Sequence, residues 1–333
     1  MKIFITGIAG FLGSHLARRM IELGHEVSGN DSLVGGYMDN VPAAAKFYNV
    51  DCCDIDAMAS ALEGVDIVYH TAATAHEGLS VFSPNFITKN VFQASVSTIS
   101  AAVQNKVRRF VYCSSMARYG NQPYPYTETM TPAPVDPYAI AKVGGEQVLR
   151  CIAELNNMEW IIAVPHNIVG PGQNYEDPFR NVMSIMINRV LQGKPPIIYG
   201  DGSQMRCFSY IDDCVFCLEK LALDPNIKND IFNIGPDEEF VTIKFLAETI
   251  MRELNFDGEP IYMADRPKEI KFATCDATKA RQVLGYETKT SLEQAIKHAI
   301  EYIKTRGARP FKYDYPLEII NDLTPKTWSK RLM

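Results

Sequence analysis

A glycine-spaced turn near the start of the chain constrains the fold more than any other feature. Gly7, Gly10 and Gly13 follow a short apolar run, Lys2–Thr6, and open an amphipathic stretch from Phe11 to about Leu23. Glycines so placed let a turn tighten, let a backbone approach a pyrophosphate, and let a helix pack close on a strand. The helix beginning there directs free N–H groups and the positive end of its dipole at whatever occupies the turn. Strand, glycine turn and helix in that order predict a dinucleotide site at Gly7, Gly10, Phe11, Leu12 and Gly13. Asp31 stands where the next strand-like run, Glu26–Asn30, gives out. A carboxylate there accepts hydrogen bonds from the adenosine ribose and repels a 2′-phosphate, so NAD is expected rather than NADP.

The alternation continues. Val65–His70, Arg109–Cys113 and Trp160–Val164 read as further strands, and Asn85–Asn105 and Tyr138–Leu155 as helices. This predicts an α/β fold of the Rossmann type, a doubly wound parallel sheet with helices on both faces. Beyond Val164, Gly170-Pro171-Gly172 and Gly200-Asp201-Gly202 mark loops, and helical patterns near Val182–Leu191, Thr242–Leu254 and Ser291–Lys304 lie between short strands. A smaller, interleaved α/β lobe for substrate is therefore expected. The Rossmann domain is assigned residues 1–165 plus about 207–235, and the second lobe 166–206 plus about 236–310. Residues 311–333 form a tail with no assigned place. At 333 residues and 47% hydrophobic, the chain has enough apolar material for both lobes.

Composition removes several classes of function. A net charge of -6 argues against coating nucleic acid, which needs a basic face to neutralise phosphates. No apolar run is long enough to cross a bilayer, and the first residues carry no signal-peptide core, so a cytoplasmic protein is expected. Cys214 and Cys217 form a CxxC, yet no His-rich segment supplies further ligands. No metal site is expected, and the eight cysteines are read as small buried hydrophobes kept reduced.

Tyr138 and Lys142 open a helical pattern behind Asp136-Pro137, and their i, i+4 spacing puts phenol and ammonium on one face. A phenol titrates near about 10 and is a poor base at neutral pH, but a neighbouring ammonium and a positive nicotinamide ring favour its anion. Ser115 lies just past the strand Arg109–Cys113, at the carboxyl edge where ligands bind. It is placed to share a hydrogen bond to a substrate oxygen. Ser115, Tyr138 and Lys142 are the candidate catalytic residues.

These residues together resemble the extended short-chain dehydrogenase/reductases, whose glycine turn has the same spacing, and within them the NAD-dependent epimerase/dehydratase family. The likeness runs from Met1 to about Tyr302 and is nearest to the UDP-glucose 4-epimerase-like group. It is carried also by Asp31-Ser32-Leu33-Val34-Gly35-Gly36, His70-Thr71-Ala72-Ala73, Pro165-His166-Asn167 and Arg206-Cys207-Phe208-Ser209-Tyr210. The resemblance implies NAD contacts from Asp51 and Cys52 at the adenine, from Ala72, Ala73 and Asn90 along the cofactor, from Tyr138 and Lys142, and from His166 at the nicotinamide. It implies substrate contacts from Asn167 and Asn181, and a diphosphate clamp of Arg206 and Arg266, suited to guanidinium forks. A homodimer paired through helices Asn85–Asn105 and Tyr138–Leu155 is likewise what the family implies.

The sequence also departs from the family. Met116-Ala117 stands where the 4,6-dehydratases carry Asp-Glu, and neither residue transfers a proton. The Glu of decarboxylating relatives is missing from the same loop, Ala75 replaces a Lys, and Arg118 occupies the place of a Val. The expected activity is epimerisation at C4 of a nucleotide sugar, with a UDP-hexose favoured. The alternative is another NAD-dependent reaction of a nucleotide sugar: reduction, decarboxylation or 3,5-epimerisation.

Overall fold

The computed structural model describes Met1–Met333. Its centre is a seven-stranded parallel sheet built from β1 (Lys2–Thr6), β2 (Glu26–Asn30), β3 (Lys46–Tyr48), β4 (Ile67–His70), β5 (Arg109–Cys113), β6 (Glu159–Pro165) and an edge strand, Asp230–Ile234. The spatial order is edge strand, β6, β5, β4, β1, β2, β3. The chain lays β2 and β3 on one side of β1, then returns to lay β4 to β6 on the other. Ligands of open α/β sheets sit where that order reverses, outside the carboxyl ends of the strands. Here that place lies above β1 and β4, directly over the glycine turn.

β4 and β5 are buried along their whole length, and β1 at every residue but its first. Strands covered by helices on both faces must be, which is why they read as near-continuous apolar runs. Side chains alternate between two cores: Ile3 and Ile5 join an apolar cluster of 46 buried residues, Phe4 one of 25. The larger cluster runs on into Met183, Leu246 and Ile296, on helices Val182–Leu191, Ile243–Glu253 and Leu292–Arg306. The two parts of the chain therefore share one core, with no linker between them.

The interleaving has a visible physical cause. After the short strands Ile168–Val169 and Met205–Arg206, the helix Ile211–Leu223 returns to the sheet, and Asp230–Ile234 pairs with β6 from Asp230↔Ile161 to Ile234↔Pro165. Arg109, wholly buried at the start of β5, donates to the carbonyls of Leu221, Ala222 and Asp224 at 3.1, 2.9 and 2.8 Å. Those carbonyls belong to the end of the returning helix, where unpaired acceptors and the negative dipole end favour a cation. Glu159 balances the charge at 2.8 Å.

Several elements differ from the sequence reading. The strand Lys46–Tyr48 and the helix Ile55–Ala61 escape it, because three residues carry no period and the helix is only two turns long. The helix expected over Asn85–Asn105 is Pro84–Thr88 and Ala94–Gln104 joined by a π-helical turn, Lys89–Gln93. Such turns cluster at functional sites, and this one holds Asn90. The tail is packed: Trp328 is 2% exposed and Tyr315 8%. Of the eight free cysteines, Cys151 lies exposed on an outer helix face and Cys53 is half-buried, against the expectation that all are buried. No helix is long and apolar enough to cross a membrane.

Candidate active site

Every candidate catalytic, cofactor and substrate residue expected from the sequence lines one cavity of about 480 Å³ at the carboxyl edge of the sheet. Its floor is the glycine turn. Gly7 has φ +69°, and a Cβ there would stand 2.9 Å from Cα of Ala72; at Gly13 it would stand 2.2 Å from the Gly7 carbonyl oxygen. The turn thus has room for backbone alone. The helix Phe11–Glu22 starts behind Gly10 with no side-chain cap, which leaves its first amides free for an anion. Asp31 is nearly buried; its carboxylate accepts from Ala9 N at 3.1 Å and Leu33 N at 2.8 Å. Burial pushes it above the ordinary carboxylate value, and these backbone donors pull it down. Asn30 donates to Val50 O at 2.8 Å and Cys52 Sγ at 3.2 Å, which holds the Asp51-Cys52 segment against the cavity. The buried Oδ1 of Asn30 is without a partner. A cradle that excludes side chains, uncapped amides and a carboxylate beside it fit a dinucleotide.

The reactive wall is the start of the helix Pro137–Leu155. Asp136 caps it, accepting from Ala139 N at 2.9 Å, and Pro137 supplies the fixed φ of the first turn. Gly145 in mid-helix has a packing reason: a Cβ there would stand 2.4 Å from the Tyr112 hydroxyl, so helix and β5 approach closely. This brings Tyr138, Lys142 and Ser115 together, each under one tenth exposed. Lys142 Nζ donates to Cys113 O at 2.7 Å and lies 5.1 Å over the Tyr112 ring.

One expectation is corrected here. Burial holds the Tyr138 phenol above its ordinary value; the opposing influences are the Arg180 charge and a hydrogen bond from Ser115, not Lys142. The reason is that Lys142, itself desolvated, draws down to about 8 and has given up its charge before the phenol would release its proton.

Behind these residues is a buried polar network that the sequence did not disclose. Glu146, one further turn along from Lys142, pairs with Arg118 at 2.9 Å and accepts from the Ser114 hydroxyl. Arg118 donates to the Tyr119 hydroxyl at 3.2 Å, which donates to Asn233 Oδ1 at 2.8 Å. Arg118, unusual where the family has Val, thus neutralises an acid on the reactive helix. Met116 and Ala117 are buried in the cavity wall and bring no proton-transfer group.

At the far end, Asn167 and Asn181 take positive φ (44° and 71°), a conformation Asn tolerates. Asn167 Nδ2 donates to Cys207 O at 2.9 Å, and Asn181 Oδ1 accepts from Gln173 at 2.9 Å. Arg206 donates to Met205 O at 2.8 Å, Lys271 O at 3.0 Å and Ile270 O at 2.5 Å. Arg266 forks onto Glu269 at 2.8 and 3.1 Å. His166 is buried with Nε2 2.9 Å from Pro236 O. The sequence reading missed His76 and Asp177, joined at 2.5 Å, as well as Glu77, Arg180 and Tyr315, all in the same wall. No spacing motif marks them, since they come from the loop after β4, the loop before Val182–Leu191, and the tail.

The comparisons with known proteins agree with this geometry. The family model "NAD dependent epimerase/dehydratase family" matches residues 3–235. A putative UDP-glucose 4-epimerase of Methanocaldococcus jannaschii is 32% identical, covering 92% of this chain and 99% of its own. The UDP-glucose 4-epimerase of Mycolicibacterium smegmatis is also 32% identical, covering 92% and 100%. Among solved structures, the UDP-glucose 4-epimerase of Thermotoga maritima with UDP-glucose superposes with a TM-score of 0.87 at 31% identity, covering 92% of this chain and 99% of that one. The UDP-glucuronic acid 4-epimerase of Bacillus cereus, solved with UDP-glucuronic acid and NAD, gives 0.85 at 26%, covering 92% and 100%. This chain belongs to the NAD-dependent epimerase/dehydratase family. It is an NAD-dependent enzyme of the epimerase type.

Proposed function

We propose that this enzyme inverts the configuration at C4 of a UDP-hexose, as a cytoplasmic homodimer. The observation that carries the reaction is the pairing of Ser115, Tyr138 and Lys142 over the glycine turn with Met116-Ala117, which offer no second acid/base pair. NAD, held by Gly7 to Gly13 and Asp31, supplies the hydride acceptor and donor when bound. With NAD bound, its positive nicotinamide ring would favour the Tyr138 phenolate, which would take the proton of the 4-hydroxyl and later return it, while Ser115 shares the hydrogen bond to that oxygen and orients it. Lys142, one turn further along the same helix face, is held by Cys113 O and ties that face to the end of β5. Arg206 and Arg266 hold the diphosphate while the sugar turns over between the two half-reactions.

The relatives and solved neighbours named for UDP-sugars support the substrate class. Ile140 (56% exposed) and Leu155 (75%) leave apolar surface on the outer side of the helix Pro137–Leu155, which supports the dimer. Light scattering of the purified protein tests that part.

Substrate deuterated at C4 tests the reaction. The label stays at C4 of the inverted product, and turnover needs no added NAD when the cofactor co-purifies. Loss of label, stoichiometric NADH, or release of water or carbon dioxide would overturn the reading. Such a result would favour a different reaction with Glu77 as its acid, since Glu77 stands in the cavity wall and its charge reaches Tyr138. A dTDP-glucose 4,6-dehydratase (28% identical) and a UDP-N-acetyl-alpha-D-glucosaminuronate decarboxylase (27%) also lie among the relatives.

A further inference from the structure

We propose that the segment after Arg306 is a clasp that holds NAD in the enzyme, with Tyr315 as the residue that fastens it. The argument begins from topology. β2, β1 and β4 are neighbours in the sheet, so the loops that follow β2 and β4 stand on either side of the glycine turn that follows β1. A dinucleotide lying on that turn runs between those two loops. Tyr315 joins them. Its hydroxyl donates to Val34 O, in the loop after β2, at 3.2 Å. Its ring packs on His76, in the loop after β4, at 4.8 Å between centroids, and on Phe86 at 5.8 Å. The bridge is 8% exposed and belongs to the cavity wall.

The rest of the segment anchors this residue to rigid parts of the fold. Glu318 accepts from Asn85 N and Phe86 N at 2.9 and 2.8 Å, capping the helix that leads to Asn90. Ser83 Oγ donates to Pro316 O at 2.5 Å. Trp328 fills the space between Phe82 and Phe179, and its Nε1 donates to Pro178 O at 3.2 Å. The relatives are covered almost whole while covering only 92% of this chain. A reaction that takes hydride from the sugar and returns it gains from a cofactor that never leaves, and the clasp closes the exit without touching the reactive groups. The inference needs only that NAD occupies the turn; it is independent of which sugar is bound.

The test is the rate at which bound NAD exchanges for radiolabelled NAD in the purified holoenzyme, read by rapid desalting. Tyr315→Ala should release NAD at least tenfold faster than the unaltered enzyme. Tyr315→Phe, which keeps the ring and loses only the bond to Val34 O, should fall between the two. Activity lost by dilute Tyr315→Ala should return when NAD is added in excess. If the alanine variant does not fold, as judged by circular dichroism, the phenylalanine variant decides alone. Exchange within twofold of the unaltered enzyme in the folded variants would overturn the clasp.

Discussion

Replacing Lys142 by Met separates the cost of this residue to the fold from its service to the reaction. Lys142 is 2% exposed, and burial draws its ammonium from 10.5 down to about 8. A displacement of that size disfavours the charged form in the fold by about 3 kcal/mol. Below pH 8 the lysine is protonated both folded and unfolded, so the whole penalty is present. Between pH 8 and 10.5 the unfolded chain still holds a proton that the fold has released, and stability rises with pH across that window. Met carries no such proton. It also gives up the bond from Nζ to Cys113 O, worth roughly 1.5–3 kcal/mol. The two changes therefore offset at pH 7 to within about 2 kcal/mol. The pH dependence is the sharper signal. Relative to the unaltered enzyme, the Met variant should lose about 3 kcal/mol between pH 7 and pH 10.5. Urea unfolding followed by circular dichroism, at matched NAD content, measures this, because all other titrating groups are common to both proteins. Parallel stability curves for the two proteins would show that Lys142 is not desolvated as argued.

The other expectations follow from the same geometry. Tyr138→Phe should retain bound NAD and lower kcat by ~10² to 10⁴, as measured by coupled product detection; a rate near that of the unaltered enzyme would move the proton to another group. Asp31→Ser removes the carboxylate that repels a 2′-phosphate, so titration should show the preference for NAD over NADP narrowing. Gly13→Ala drives a methyl to 2.2 Å from the Gly7 carbonyl, and the purified variant should carry little or no NAD. Arg118→Ala leaves the buried Glu146 without its cation and should cost about 3–5 kcal/mol in urea unfolding. Arg118→Val combined with Glu146→Leu should recover most of that loss, since it removes both charges at once.

Most strands of the Rossmann half were legible in the sequence. β1 and β5 coincide with the largely apolar runs Lys2–Thr6 and Arg109–Cys113, because strands buried on both faces admit little but apolar residues, and β2 coincides with Glu26–Asn30. Tyr138 and Lys142 were legible because a helix converts a spacing of four into one face. The network of Arg118, Glu146 and Ser114 was not, although all three residues flank those motifs. A buried ion pair leaves no periodic trace, and Arg118 by itself reads as a surface charge. His76, Asp177 and Tyr315 were hidden for another reason: they lie on three segments separated by more than a hundred residues along the chain.

The sequence by itself determined the parallel sheet, the glycine turn with its demand for bare backbone, and the reactive face of one helix. Each is local, set by short-range sterics and by the periods of strand and helix. Tertiary structure alone decided that Lys142 is desolvated to about 8, and that Arg109 ties the end of a returning helix into the sheet. It alone placed Tyr315 across the loops beside the turn. Burial, charge pairing and closure depend on what distant segments bring to a point, and the order of residues along a chain does not state those distances.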